Sequence, residues 1–383
     1  MKYDLLKDIK IFSPKDIPKD KHILGNLLKK KTKILATFNP GLTRLKNKNL
    51  LMMVRIAEQL IDVETKTHVQ AIRFDPKKKK FIIDKFPKSS LDKSDPRLFL
   101  IDYKNSSAKK KAAILTSMSY LLPVELTPDG LNIVKIHYNK VILPKKHFQQ
   151  NGIEDARITK INNKYFMTTV GVSYDRLGSV LYSSKDGLNY KLEGLILDEQ
   201  NKDALLFPKK IKNKYYMITR PMGDFMFASP PSSPNLPGFS MKIAESKDSH
   251  YWKPYGKVLI QPTKNSKTSE RTGGGAPPIL TKKGFLTLFH GVEPTKKNIY
   301  GFYKTFKALV DKNNPDKLKE IDYNHPVLES NPELTKDLKE ISYMDNIVFT
   351  TGIVEHNDNY IIASGQDDLI CRITHISKKQ LEF

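Results

Sequence analysis

The hydrophobic positions of this chain come in short runs broken by turn residues, and helical periodicity is scarce. Apolar or alternating segments run from Leu50 to Ile56, Val69 to Phe74, Ala112 to Ser117, Ile158 to Ile161, Tyr165 to Val170, Val180 to Ser183, Tyr215 to Thr219, Phe285 to Phe289 and Tyr360 to Ser364. Such a pattern predicts an all-β protein. A repeat runs through it, in which two strands end in a Ser/Thr-x-Asp turn: Thr127-Pro-Asp-Gly-Leu131, Ser184-Lys-Asp-Gly-Leu188 and Ser246-Lys-Asp-Ser-His250. Asp129, Asp186 and Asp248 stand about one propeller blade apart, since four short strands and their turns use ~40 to 60 residues. We read these aspartates as turn formers without a catalytic role, because Asp-Gly supplies the local hydrogen bond and positive φ of a hairpin. Trp252, the single tryptophan, is expected to pack between blades.

At 383 residues and 39% hydrophobic content the chain has enough apolar material for one large or two ordinary domains. One cysteine, Cys371, excludes an internal disulfide, and the first residues lack the apolar core of a secretory signal, so a cytoplasmic protein is expected. No apolar run nears the roughly 20 residues that cross a bilayer, so no membrane partner is expected. The net charge of +24 raises nucleic acid as a partner. Its lysine runs, Lys29 to Lys31, Lys77 to Lys80 and Lys109 to Lys111, fall in polar stretches without interleaved aromatics, which instead describes a solvated surface whose field favours anions such as phosphate. Residues 1–35, Lys-rich with Pro14 and Pro18, read as an N-terminal extension, and residues 36–383 as one domain. The stretch Pro230 to Pro237 reads as an extended loop at the rim of a site. Nine scattered histidines give no metal-ligand spacing, and Gly273-Gly-Gly275 before Pro277 does not open a helix in the dinucleotide-binding manner, so neither metal nor nucleotide cofactor is expected.

The chemistry-bearing residues begin with Asn151-Gly-Ile-Glu-Asp-Ala-Arg157, an acid pair beside a guanidinium at the mouth of a strand. Strand alternation predicts that Glu154 and Asp155 point to opposite sides, so that one of them meets a central cavity. Asn201-Lys-Asp203, Thr219-Arg-Pro221, Arg271-Thr-Gly-Gly-Gly-Ala-Pro-Pro278 and Phe289-His-Gly-Val292 follow in order. Taken together, these motifs resemble the β-mannoside phosphorylase family, glycoside hydrolase family 130, from Asn39 to Asp368. The resemblance implies a five-bladed β-propeller and a glycosyltransferase of the phosphorylase type. Such an enzyme cleaves a terminal β-mannoside with inorganic phosphate, inverting the anomeric centre to give mannose 1-phosphate. Six strand clusters for five blades suggest that the strand near Leu50 and the segment near Tyr360 share one blade, closing the ring.

By resemblance Asp155 is the general acid, with Ala156 where the family usually has proline. Arg220, Arg271 and His290 match phosphate-binding positions, and Asn39, Arg55, Asn201 and Asp368 match substrate-binding positions, with Lys202 and Asp203 in support. The physical logic agrees: phosphorolysis needs cations for a dianion and no second carboxylate base, and Gly273 to Gly275 let the backbone pass close to a site. Gln200 departs from the pattern, because a basic residue is expected there. That departure leaves open an inverting β-mannosidase, whose second carboxylate lies roughly 6.5 to 9.5 Å from the acid, with Glu245 and Glu293 as candidates. A mannoside-binding propeller without catalysis is the third reading. Asp95-Pro-Arg97 is assigned a structural or rim role outside the catalytic set, and Tyr300 either stacks on a sugar or forms a core edge. The expected partners are an oligosaccharide or mannoside and inorganic phosphate; a homo-oligomer is compatible with the family, but no segment specifies an interface.

Overall fold

The computed structural model describes residues 3–88, 91–95, 97–102, 111–222, 239–296 and 300–383. The loop expected from Pro230 to Pro237, together with Lys109 and Lys110, lies outside them. Blade one consists of Thr32–Arg44, Leu50–Leu60, Ser117–Leu126 and Ile133–Ile136; blade two of Gly152–Ile161, Lys164–Val172, Leu177–Ser184 and Lys191–Leu195. Blade three is Asn201–Leu206, Tyr215–Pro221, Met241–Ser246 and Lys253–Ile260, and blade four is Arg271–Gly274, Phe285–Glu293, Phe302–Val310 and Leu318–Ile321. Val348–His356, Asn359–Gln366 and Ile370–Ser377 build blade five. Within each blade neighbouring strands are antiparallel, and the fold is the expected five-bladed β-propeller.

Ring closure differs from the expectation. The outer strand of blade five is Lys7–Phe12, paired antiparallel with Ile370–Ser377, whereas the Leu50 strand is the second strand of blade one. The reason is visible in Lys-Asp-Ile-Lys-Ile-Phe12: Ile9 and Ile11 pack on a core that buries Phe12 completely. Asp8 meanwhile takes the buried Arg372 in a bidentate pair at 2.6 and 2.9 Å. The inner strands of blades five and one then touch directly, with Thr351 Oγ1 donating to the Pro40 carbonyl at 3.0 Å.

The repeated aspartates are turn formers, as expected. Each stands between the third and fourth strands of its blade and accepts backbone N–H groups just downstream: Asp129 from Leu131 at 3.1 Å, Asp186 from Leu188 at 2.9 Å and Asp248 from His250 at 2.8 Å. Asp311 does the same in blade four with Asn313 at 2.9 Å, a copy the sequence pattern missed. Trp252 packs between blades two and three with Phe166, Leu181 and Met217. Blade one carries an insertion between its second and third strands, comprising the hairpin His68–Asp75 and Lys80–Pro87 and a small sheet of Leu91–Asp95, Leu98–Asp102 and Lys111–Leu115. Lys77 to Lys79 lie in the exposed turn of that hairpin, and Lys80, also exposed, opens its second strand.

The inner strands are irregular. Register shifts fall between Phe38 and Gly41, Glu154 and Arg157, Lys202 and Leu205, and Thr350 and Gly352. Asn39, Asp155 and Asp203 sit within three of these with φ of 46°, 51° and 55°. Such bulges break the alternation of a strand and re-aim its side chains.

Replacing Asp8 by alanine leaves Arg372 buried without its counter-ion, and chemical denaturation should show a loss of about 3–5 kcal/mol. The exposed neighbour Lys7→Ala should change stability by no more than about 0.5 kcal/mol.

Candidate active site

The inner strands of blades two to four begin at one end of the central channel with Gly152, Asn201 and Arg271, and the candidate residues gather there. Asp155 is 4% exposed, and its Oδ1 accepts from Asn39 Nδ2 at 2.9 Å and Arg55 Nη1 at 3.0 Å. The same guanidinium donates through Nη2 to Glu154 Oε1 at 2.7 Å and through Nε to Ser119 Oγ at 2.9 Å, lying 4.4 Å from the centre of the Phe38 ring. Glu154 and Asp155 therefore meet one arginine instead of opposite sides, because the bulge and the left-handed Asp155 cancel the alternation. Burial alone raises the proton affinity of Asp155, but the charges of Arg55, Arg157 and Lys202 and the Asn39 hydrogen bond outweigh it and hold the carboxyl below its ordinary range.

Arg157 reaches across three blades. Its Nη1 donates to the Asp155 carbonyl at 2.8 Å, Nε to Gly275 O at 3.0 Å, and Nη2 to Gly274 O and Asp203 Oδ1, both at 3.1 Å. Asp203, fully buried, also receives Arg220 Nε at 2.7 Å on Oδ2, and His290 Nε2 stands 3.8 Å from the same oxygen. Burial works against its ionisation, yet Arg220, Arg157 and His290 keep its pKa far below normal. A Cβ on Gly273 would lie 2.4 Å from the His290 ring and 2.7 Å from Asp203 Oδ2, so the expected close approach is real and falls on His290 and Asp203. His290 packs against Phe349 and Tyr303, with ring centres 4.7 and 5.6 Å away. Arg271 pairs with Glu270, and its buried Nε has no partner among the described residues; nor has His290 Nδ1. The Arg271 Nε–H is a donor, and left in this way it costs about 1–3 kcal/mol, which an anion supplying an acceptor would offset.

Other expectations fare differently. Asn201 is fully buried, with its Oδ1 accepting the Arg220 backbone N–H at 3.0 Å and its Nδ2 donating to Glu199 at 3.2 Å, so it braces Arg220 from behind. Lys202 Nζ stands 3.5 Å from Glu154 Oε2. Asp368 joins the site from the loop before Ile370–Ser377; burial, with Arg97 and Arg55 opposing, raises its pKa. Gln200 is exposed, its Oε1 3.4 Å from the Leu177 N–H.

Neither proposed second carboxylate reaches Asp155. Glu245 is held by Lys214 at 2.8 Å and pairs across the sheet with Tyr216, four residues, or roughly 13 Å at about 3.3 Å per residue, from Arg220. Glu293 binds Lys304 at 3.0 Å and, by alternation, projects from the face opposite His290. Sequence reasoning also missed Tyr303 and Phe349. Tyr303 was accessible from strand pairing, since it stands opposite Val292, two residues from His290; Phe349 gave no local signal.

A family model described as beta-1,4-mannooligosaccharide phosphorylase, glycoside hydrolase family 130, matches residues 114–382. A β-1,2-mannobiose phosphorylase of Listeria innocua is 29% identical over 340 residues, spanning 88% of this chain and 87% of the relative. A 1,2-β-oligomannan phosphorylase of a Thermoanaerobacter species is 30% identical over 262 residues, 67% of this chain and 79% of the relative. Among solved structures, a β-1,2-mannobiose phosphorylase from Listeria innocua in complex with β-1,2-mannobiose superposes with a TM-score of 0.77 at 26% identity, covering 98% of both chains.

Burial pushes the His290 imidazole down to about 3, against the pull of Asp203. An unfolded chain takes up that proton below about pH 6.5, so the stability contributed by the neutral ring is complete above that pH and is lost as pH falls toward the folded value. His290→Gln should flatten the stability–pH curve in this window, by up to about 1.4 kcal/mol per pH unit, in denaturation series at stepped pH.

Proposed function

We propose that this chain, which belongs to the β-mannoside phosphorylases of glycoside hydrolase family 130, is an inverting phosphorylase that splits a terminal β-mannoside with inorganic phosphate. The observation that carries this reading is the buried carboxyl of Asp155, held by Asn39 and Arg55, beside a separate group of nitrogen-bearing side chains in which Arg220 and His290 are buried and Arg271 is partly exposed. Phosphate brings its own nucleophilic oxygen, so such a site lacks nothing for phosphorolysis, whereas inverting hydrolysis requires a carboxylate base opposite the acid. Glu245 and Glu293, held by Lys214 and Lys304, do not supply one. The relatives from Listeria innocua and Thermoanaerobacter are named for β-1,2 linkages, which makes a β-1,2-mannoside the preferred substrate.

In the proposed reaction the C1–O bond breaks as a proton from Asp155, passed directly or through a sugar hydroxyl, reaches the leaving oxygen. A phosphate oxygen attacks C1 from the other face, giving α-mannose 1-phosphate and the shortened acceptor. The hydrogen carried by hydrogen phosphate makes good the proton that left. Arg55, Arg157 and Lys202 hold Asp155 ionised in the free protein. A dianion beside Arg220 and Arg271 lowers the local positive potential and so favours the protonated acid when both substrates are present. Asn39 and Arg55 orient the carboxyl and lie where a sugar hydroxyl can share it, Asp368 takes part in sugar binding, and Asn201 acts through Arg220. Inorganic phosphate as co-substrate, no further cofactor and a cytoplasmic setting complete the reading; the buried free thiol of Cys371 suits a reducing compartment.

Incubation with β-1,2-mannobiose should release mannose 1-phosphate only when phosphate is present, and Asp155→Asn should reduce kcat by about 10²–10⁴-fold. Mannose formed without phosphate would transfer the reading to a hydrolase. Binding without turnover under either condition would leave a mannoside-binding propeller.

A further inference from the structure

We propose that Arg97, carried by the blade-one insertion, is a specificity-determining residue of this site that contacts the mannoside and not the phosphate; the proposal rests on the functional reading above. Arg97 stands in the tight connection between Leu91–Asp95 and Leu98–Asp102, remote in sequence from every other candidate residue. Its guanidinium nevertheless reaches Asp368 in blade five, Nη1 to Oδ2 at 3.5 Å, and lies 4.2 Å from the centre of the Tyr300 ring in blade four. An element outside the propeller thus converges with two blades on a carboxylate of the candidate sugar site.

Three features suit this arrangement to a neutral pyranoside. A guanidinium held over an aromatic ring keeps its N–H donors in a rigid fork, a geometry that grips adjacent hydroxyls. Its contact with Asp368 is longer than the 2.7–2.9 Å or so of a closed charge-assisted pair. With side chains 34% and 15% exposed, Arg97 and Asp368 are reachable, and a sugar can present hydroxyls to both from beside the pair. The loop that presents Asp368 is fixed by its left-handed backbone, φ 48°, and by Tyr343 Oη, which donates to its carbonyl at 3.0 Å. The side of the site is defined as well. Asp368 feels Arg97 together with Arg55, Asp155 and Glu154, the group around the acid. The charges acting most strongly on His290 are Asp203, Arg220, Arg157 and Arg271, without Arg97. The Asp95-Pro-Arg97 motif, assigned above to a rim, therefore belongs to sugar recognition.

The test is steady-state phosphorolysis by the full chain, varying β-1,2-mannobiose and phosphate separately. Arg97→Ala should raise KM for mannobiose about tenfold or more, the size of one lost hydrogen bond to a charged group. In the same variant kcat should change far less, and KM for phosphate should stay within about twofold, which also reports an intact fold. Arg97→Lys should fall between, since a point charge keeps attraction but not the rigid fork. An unchanged mannobiose KM in an active enzyme, or a phosphate KM that rises in step, overturns the role of Arg97 alone. Wild-type protein silent on every β-mannoside tried with phosphate overturns the functional reading, and this inference with it.

Discussion

The buried ion pair between Arg157 and Asp203 is the contact on which the site depends. Each side chain is 1% exposed. Removing two charges from water is costly, and their attraction compensates only where the remaining donors and acceptors are also met. Here they are met by functional partners: Arg157 binds the Asp155 carbonyl and the carbonyls of Gly274 and Gly275, while Asp203 binds Arg220 and faces His290. One pair thus sets the acid in blade two, one cation in blade three and the glycine turn of blade four in fixed relation. The contact thereby ties three blades together at the candidate site.

Around the pair the inner strands depart from ideal geometry in a consistent way. Asn39, Asp155 and Asp203 all adopt left-handed backbone, a conformation that costs of order 1–3 kcal/mol each for residues bearing a Cβ. What the strain obtains is direction. A regular strand would send Glu154 and Asp155 apart, whereas the bulged one brings both to Arg55. Gly365 shows how closely the parts fit, since a Cβ there would lie 2.1 Å from Asn39 Oδ1.

Much of this was legible in the residues and some was not. The turn aspartates declared themselves because a local hydrogen bond needs only local sequence, and Asp129, Asp186 and Asp248 behave as read. The Gly273 to Gly275 run signalled close approach, and the structure supplies the approaching groups. What failed were inferences that require knowing the register. Bulges carry no residue signature of their own, so alternation separated Glu154 from Asp155. Ring closure went to the Leu50 strand because six strand clusters had to fit five blades; the actual closing strand hides Ile9 and Ile11 among lysines and depends on a charge pair between Asp8 and Arg372. Arg97 was set aside because its place in the chain points to an earlier blade, and nothing nearby in the sequence reveals that the insertion reaches Asp368.

The pairing of Lys7–Phe12 with Ile370–Ser377 also governs when the protein can first work. At about 5–20 residues per second, translation from Phe12 to Ile370 takes on the order of 20–70 s. Throughout that interval the first strand has left the ribosome with no partner to accept its hydrogen bonds. The blades between them can fold in order as they emerge, but the last sheet waits, and so does the loop holding Asp368, which leads into the final strand. On the role proposed for Asp368, sugar recognition is therefore the last property the nascent chain acquires. Until then one strand edge stays open, and Lys7 and Lys10 on that strand oppose its pairing with other chains.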